Sequence, residues 1–298
     1  MGVGVLEQPL PDFLGIGALK AATTYLDALL RRHPDLCLPS ALKEVQFFNR
    51  YYGRGVDWYA GLFVGCGRRR RGEVSPQYLF DPDCPARISA LLPDVQLLVS
   101  IRDPVQRVYS QYKHWVEERG YHKPFEDFLE EHPQAVERGE YFRWTSRYLD
   151  FFPLERVHFV VAEELVAEPV PVVKEVYRFL GVDPERVPST IERPKNVSTI
   201  PRFHRVYVET KRVTRLLYRV GGARVVDAAK RLGAERVFRT EADSNGFLPL
   251  TPATAVRLIE HYADDVARLS ALLGRDMGRY WWGDGGGDGD RDRVTNRL

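Results

Sequence analysis

Near-continuous apolar runs alternate with stretches of helical period through the first two thirds of this chain. Asp12 to Gly17 form a short β-prone run ending in Gly15 and Gly17, after which Ala22, Leu26, Leu29 and Leu30 fall on one helical face. The order predicts strand, tight turn, helix. Val95 to Ile101 repeats it: the run breaks at Asp103-Pro104, and Val108, Tyr112 and Trp115 then recur at helical spacing. A third run, Val157 to Val161, precedes Glu163-Glu164 and a helix from Pro171 to Leu180 that stops at Gly181. Strands apolar along their whole length, separated by helices, predict a parallel sheet covered on both faces. The expected fold is therefore α/β: three layers α/β/α around a central parallel sheet, in a single domain.

The remaining segments are less regular. Gly53 to Pro85 is turn-rich, and its basic cluster Arg68 to Arg71 reads as a solvated loop. From Arg202 to Arg239 the pattern turns helical and basic, a helical insertion over 202–245 that suits a lid or partner surface, before a last helix from Leu248 to Leu273. Gly283 to Leu298 is rich in glycine and aspartate with almost no apolar residue, the composition of a disordered tail. The domain is thus expected over 9–282 and the tail over 283–298.

Composition narrows the function classes. A chain of 298 residues, 44% of them apolar, can bury one large core and fits a single α/β domain with insertions. A formal net charge of +2 excludes the broad positive field of a dedicated nucleic-acid binder, so any anionic ligand is bound locally. No run of about eighteen apolar residues occurs. The N-terminus lacks a charged start followed by an apolar stretch, which gives the expectation of no membrane span and a cytoplasmic location. Cys37, Cys66 and Cys84 are odd in number and have no C-x-x-C spacing, so free thiols and no metal site are expected.

The most informative stretch is Gly15-Ile16-Gly17-Ala18-Leu19-Lys20-Ala21-Ala22-Thr23-Thr24. A strand ends in small residues, a lysine follows, and threonines open a helix. Such a turn aims backbone N–H groups and the positive end of the helix dipole at one point, which suits a tetrahedral dianion, and Lys20 adds a mobile charge. A nucleoside triphosphate P-loop would need glycine before the lysine and Ser or Thr after it; Leu19 and Ala21 stand there instead. Without that hydroxyl the usual magnesium ligand is missing, which weakens a P-loop ATP-dependent kinase as the reading. The turn makes the expected fold P-loop-like all the same.

The loop resembles the 5′-phosphosulfate loop of sulfotransferases that use 3′-phosphoadenosine 5′-phosphosulfate, with Ala22 where that family usually has glycine. Two further stretches extend the likeness to the heparan sulfate N- and O-sulfotransferase type. Lys43 to Tyr59, with Lys43-Glu44-Val45-Gln46-Phe47-Phe48-Asn49 at its start, resembles the piece whose glutamate is the general base, which implies that role for Glu44. The chemistry agrees: an attacking hydroxyl or amine must lose its proton, and a partly desolvated carboxylate can take it. Lys43 could serve the donor, the acceptor or only solvent. Arg102-Asp103-Pro104, Arg107 and Ser110-Gln111-Tyr112 resemble the 3′-phosphate signature, which implies that Arg102 and Ser110 hold that phosphate and that Arg107 is structural. Arg102 closes a predicted strand, where open α/β sheets bind ligands.

The likeness runs from about Pro11 to Pro201. It implies Lys20, Ala21, Ala22, Thr23 and Thr24 as donor ligands, with Lys195 in the loop that closes over the nucleotide. On the acceptor side it implies Lys43, Phe48, Tyr78, Tyr141 and Trp144, the last standing where some relatives carry histidine; a core position suits Trp144 equally. Val74 stands where several relatives have lysine. The expected acceptor is a glycan, glycolipid or small natural product, with no metal and an oligomeric state the sequence leaves open. A non-catalytic nucleotide-binding or scaffold protein is the remaining alternative.

Overall fold

The structure is a computed structural model and describes residues 9–188 and 250–283. Lys195, the basic segment 202–245 and nearly all of the tail lie outside the described residues. In chain order the elements are β1 (Phe13–Gly17), α1 (Thr23–Leu30), β2 (Leu36–Cys37), α2 (Val56–Gly61), β3 (Arg70–Val74), α3 (Cys84–Leu91), β4 (Gln96–Ile101) and α4 (Pro104–Arg119). There follow α5 (Phe125–Glu131), α6 (Pro133–Glu137), α7 (Tyr141–Leu149), β5 (Val157–Val161), α8 (Ala162–Ala167) and α9 (Pro169–Phe179). Beyond the undescribed stretch come α10 (Pro252–Leu273) and α11 (Met277–Trp282).

The five strands form one parallel sheet in the order β2-β3-β1-β4-β5. Every residue of β1 is buried, as its unbroken apolar run requires of a strand covered on both faces. On one face Phe13, Leu98 and Val160 pack with Leu26, Leu29 and Leu30 of α1 and with Val173, Val176 and Tyr177 of α9. Each such aliphatic side chain withdrawn from water stabilises the fold by about 2 kcal/mol. Gly72 is required by close approach, since a β-carbon there would lie 2.2 Å from the Phe13 ring.

The order of strands decides where a ligand can bind. From β1 the chain crosses to β2 and β3 on one side and then to β4 on the other, so the carboxyl end of β1 is the switch point of the sheet. The loops after β1, β3 and β4 therefore open beside one another.

Two sequence expectations are corrected. The cluster Arg68 to Arg71 is not wholly a loop: Arg70 and Arg71 open β3, where Arg70 Nη2 donates to Gln96 Oε1 at 2.7 Å and Arg71 pairs with Asp12 at 3.3 Å. Their charge hid a strand whose later residues are buried. The single domain carries an internal division into two compact units; among the described residues one comprises 9–107, 138–188 and 262–283, and the other 108–137 and 250–261. In the second unit Trp115 packs against His132 and Phe128, and Thr254 Oγ1 donates to Glu126 Oε1 at 2.6 Å.

The second correction concerns the cysteines. Cys37 and Cys66 form a disulfide, with Cα atoms 5.6 Å apart, and only Cys84 is a free thiol. Cys37 ends β2, and Cys66 lies just before β3, the strand with which β2 pairs. A separation of 29 residues carries no pairing signal in sequence; the sheet brings the two together. The expectation of free thiols at Cys37 and Cys66 falls with it. Among the described residues no helix is long and apolar enough to cross a membrane.

Thiol titration of the denatured, unreduced chain is expected to find one reactive thiol, and three after reduction. Reduction is expected to cost about 3.6 kcal/mol in urea denaturation, the chain-entropy value for a loop of this length. Three thiols without reductant would contradict the pairing.

Candidate active site

The loop after β1 is built from the β4 side. Ala18 N donates to Ser100 O at 2.7 Å, Arg102 Nη1 donates to Lys20 O at 3.3 Å, and the Ser100 hydroxyl donates to Ala21 O. Carbonyls of the loop are thus turned toward β4. Because a trans peptide points its C=O and N–H in opposite directions, the Ala22 N–H, on the same peptide as the Ala21 carbonyl, faces away from β4. The Ala21 N–H behaves otherwise: it closes a turn onto Ala18 O at 3.3 Å, so of the five expected donor ligands Ala21 is spent inside the loop.

Lys20 and Ala22 both take left-handed backbone, with φ of 69° and 58°. For residues bearing a β-carbon this costs about 1–2 kcal/mol each. Backbone held in that region persists where its surroundings over-determine it, and turns of this kind gather N–H groups into anion-binding concavities. Ala22 is also the residue before α1, with no side-chain cap. The N–H groups of Thr23 and Thr24 open the helix, and the first N–H groups of a helix have no partner within it. The left-handed φ at Ala22 supplies a physical reason for the glycine that the family usually carries there. Gly17 admits no side chain, because a β-carbon would sit 2.6 Å from Leu79.

Lys43 connects this loop to the candidate base. Its Nζ donates to Thr24 Oγ1 at 2.7 Å and lies 3.9 Å from Glu44 Oε1. Gln46 Nε2 donates to Glu44 Oε2 at 3.4 Å. The Glu44 side chain keeps 29% of its surface, enough to meet a substrate. Helix start, lysine and carboxylate, separated by up to twenty residues in sequence, thus lie in contact. Gln46 itself was missed in sequence; its φ of 53° had no signal there.

Arg102 is half-buried at the end of β4, with its N–H donating to Tyr141 Oη at 3.3 Å. One guanidinium donor holds the loop, and a guanidinium has five. Arg107 is fully buried and hydrogen-bonded to Tyr262, which fits the structural role implied for it. Ser110 is half-buried on α4 in the second unit, and its assignment to the 3′-phosphate rests on the resemblance alone.

The acceptor-side expectations fare differently. Phe48, Tyr78 and Tyr141 are fully buried, so in this structure they back the site rather than line it. Large aromatic rings after a strand are claimed by the core, and their hydroxyls find protein partners: Tyr78 donates to Glu73 Oε1 at 2.8 Å, and Tyr148 donates to Tyr78 O at 2.7 Å. Trp144 retains 9% exposure, edge-on to Phe80 with Arg147 stacked at 4.6 Å, close to the core alternative.

These features define an α/β domain with a lysine-bearing turn at the carboxyl end of its central strand and a carboxylate beside it. The sulfotransferase domain family matches residues 10–197, and the chain belongs to that family. Heparan sulfate glucosamine 3-O-sulfotransferase 3B1 of Mus musculus is 33% identical over 192 residues, which is 60% of this chain and 48% of that protein. Bifunctional heparan sulfate N-deacetylase/N-sulfotransferase 3 of Mus musculus is 32% identical over 200 residues, 59% of this chain and 23% of that one. The chain spans about half the length of the first of these relatives and less of the second. Among solved structures, a sulfotransferase from Alicyclobacillus acidocaldarius superposes with a TM-score of 0.66 at 27% identity, covering 91% of this chain and 98% of that one. The likeness to the heparan sulfate type, expected from three motifs, is borne out.

Asp103, next to Arg102, generates a pH prediction. Burial pushes its carboxyl from 3.8 up to about 6, assisted by the nearby Glu163, while the N–H groups of Val105 and Gln106 and the Trp282 indole pull the other way. A carboxyl held more tightly protonated in the folded state stabilises most at low pH. Between about pH 4 and pH 6 that contribution falls as pH rises, by up to about 3 kcal/mol. Asp103→Asn keeps the helix-capping oxygen and removes the titration. The difference in urea stability between wild type and this variant should therefore shift in favour of the variant across this window; a constant difference would contradict the burial argument.

Proposed function

We propose that this chain moves the sulfuryl group of 3′-phosphoadenosine 5′-phosphosulfate to a hydroxyl or amine of a carbohydrate, glycolipid or small natural-product acceptor, with Glu44 taking the acceptor's proton. The observation that carries the reading is the Lys43 bridge, 2.7 Å to Thr24 on the anion-facing helix start and 3.9 Å to the Glu44 carboxylate. A donor held at the first group and an acceptor deprotonated at the second would meet in line.

The co-substrate supplies an activated sulfuryl group on a phosphate leaving group. The chain's residues do the rest. Lys20 and the N–H groups of Ala22, Thr23 and Thr24 face the bridge of the phosphosulfate and stabilise charge developing on the departing phosphate, an effect worth roughly 3 kcal/mol per well-aimed donor. Lys43 keeps Glu44 beside that bridge and offers it a compensating charge. Arg102 holds the 3′-phosphate, and that remote binding energy fixes the orientation of the donor. Ala21, apolar and fully buried where a P-loop kinase has its magnesium-binding hydroxyl, speaks against ATP chemistry.

Glu44→Gln is expected to lower sulfate transfer from labelled donor, measured over a panel of glycan, glycolipid and phenolic acceptors, by about a hundredfold or more. Binding of adenosine 3′,5′-bisphosphate should be unchanged. Undiminished turnover in the variant would defeat Glu44 as the base.

A further inference from the structure

Glu73 is an ionisable side chain with no role in the proposed reaction and no exposed surface. It lies near the carboxyl end of β3, the strand beside β1 at the switch point. Four donors reach its carboxylate, none of them charged. Ser75 Oγ donates to Oε2 at 2.6 Å, while Tyr59 and Tyr78 donate their hydroxyls to Oε1 at 2.7 and 2.8 Å. The fourth is the backbone N–H of Val45.

What those donors hold in turn is the segment that follows Glu44. Val45 N–H is bound by the carboxylate directly. Gln46 N–H donates to Ser75 Oγ at 3.0 Å, and Phe47 N–H donates to Tyr78 Oη at 2.7 Å. Each hydroxyl gives its only proton to Glu73, so its lone pairs are turned to receive the loop. Three successive backbone N–H groups are thereby tied to one buried carboxylate, directly or through a single oxygen. The left-handed φ of 53° at Gln46, inside this stretch, is a conformation that an ordinary side chain leaves unless it is held.

We infer that Glu73 is a positioning residue for the Glu44 base: it fixes the backbone of Val45 to Phe47, and through it the direction in which Glu44 meets the acceptor. The inference rests on the proposed role of Glu44. It extends that reading, because the carboxylate that takes the proton is aimed by a second carboxylate that never touches substrate. Removing a buried acceptor leaves its donors unsatisfied, so part of the effect of any substitution will be lost stability. The test must therefore read more than folding.

The experiment combines Glu73→Gln, Ser75→Ala, Tyr78→Phe and Tyr59→Phe in the full chain with amide hydrogen exchange and steady-state kinetics. Ser75→Ala cuts the tie to Gln46, and Tyr78→Phe cuts those to Phe47 and, at 3.5 Å, Phe48; Tyr59→Phe removes a donor to Glu73 that has no onward link. Expected are faster exchange at residues 45–48 in the first three variants and a fall in kcat of about tenfold or more for Glu73→Gln. The KM for the donor should change little, and Tyr59→Phe should retain most of the wild-type kcat. In the Glu44→Gln background, Glu73→Gln should cause no further loss, since the two act through one group. A further loss of the same size in that background, or unchanged exchange at residues 45–48, would overturn the inference. Failure of the sulfuryl-transfer reading itself registers separately, as wild-type protein that neither binds adenosine 3′,5′-bisphosphate nor turns over. The exchange data then decide alone whether Glu73 holds the loop.

Discussion

The site depends on the direction in which the peptide groups of the loop after β1 point. Ser100 and Arg102, at the carboxyl end of β4, take the carbonyls of Ala21 and Lys20, and the geometry of the peptide bond then fixes where the neighbouring N–H of Ala22 is aimed. Left-handed backbone at Lys20 and Ala22 is unfavourable for residues with a β-carbon, so this orientation is maintained by those contacts against the intrinsic preference of the chain. Arg102 has two duties in this account. It braces the loop after β1, and under the proposed function its remaining N–H groups would meet the 3′-phosphate.

Glu44, the proposed base, is governed by a second set of contacts with the same logic. Lys43 ties Glu44 to the helix start, and Glu73, through Ser75, Tyr78 and its own acceptor oxygens, holds the three residues after it. The two halves of the site thus come from strands on either side of β1, β4 for the anion-facing turn and β3 for the carboxylate. Parallel topology makes this possible, because all three strands end at the same edge. A rigid frame suits a transfer in which positioning and preorganised charge supply most of the rate.

Much of this was legible in the sequence. The runs Asp12 to Gly17, Val95 to Ile101 and Val157 to Val161 are apolar on both faces, and they became β1, β4 and β5 almost residue for residue. The glycine and threonine punctuation around Lys20 located the turn, because backbone chemistry is written in those residue types. Strand β3 was not legible: its arginines read as solvent, and their pairing with Asp12 and Gln96 is visible only once the strands are adjacent. The disulfide failed for the same reason. The aromatic candidates Phe48, Tyr78 and Tyr141 carried an ambiguity that pattern cannot resolve, since a ring that could grip a sugar could also fill a core. Glu73 was hidden more deeply, because a carboxylate in a strand shows its worth only through its partners.

The central claim is that the turn around Lys20 and the guanidinium of Arg102 together recognise a nucleotide bearing phosphates at both 5′ and 3′ positions, without metal. Titration calorimetry in the presence of a chelator tests it most directly, comparing adenosine 3′,5′-bisphosphate with adenosine 5′-monophosphate on wild type and on Arg102→Ala. The account predicts metal-free binding of the bisphosphate that is at least tenfold tighter than that of the monophosphate, with the advantage lost in the variant. Equal affinity for the two nucleotides, or binding that appears only with ATP and magnesium, would contradict it.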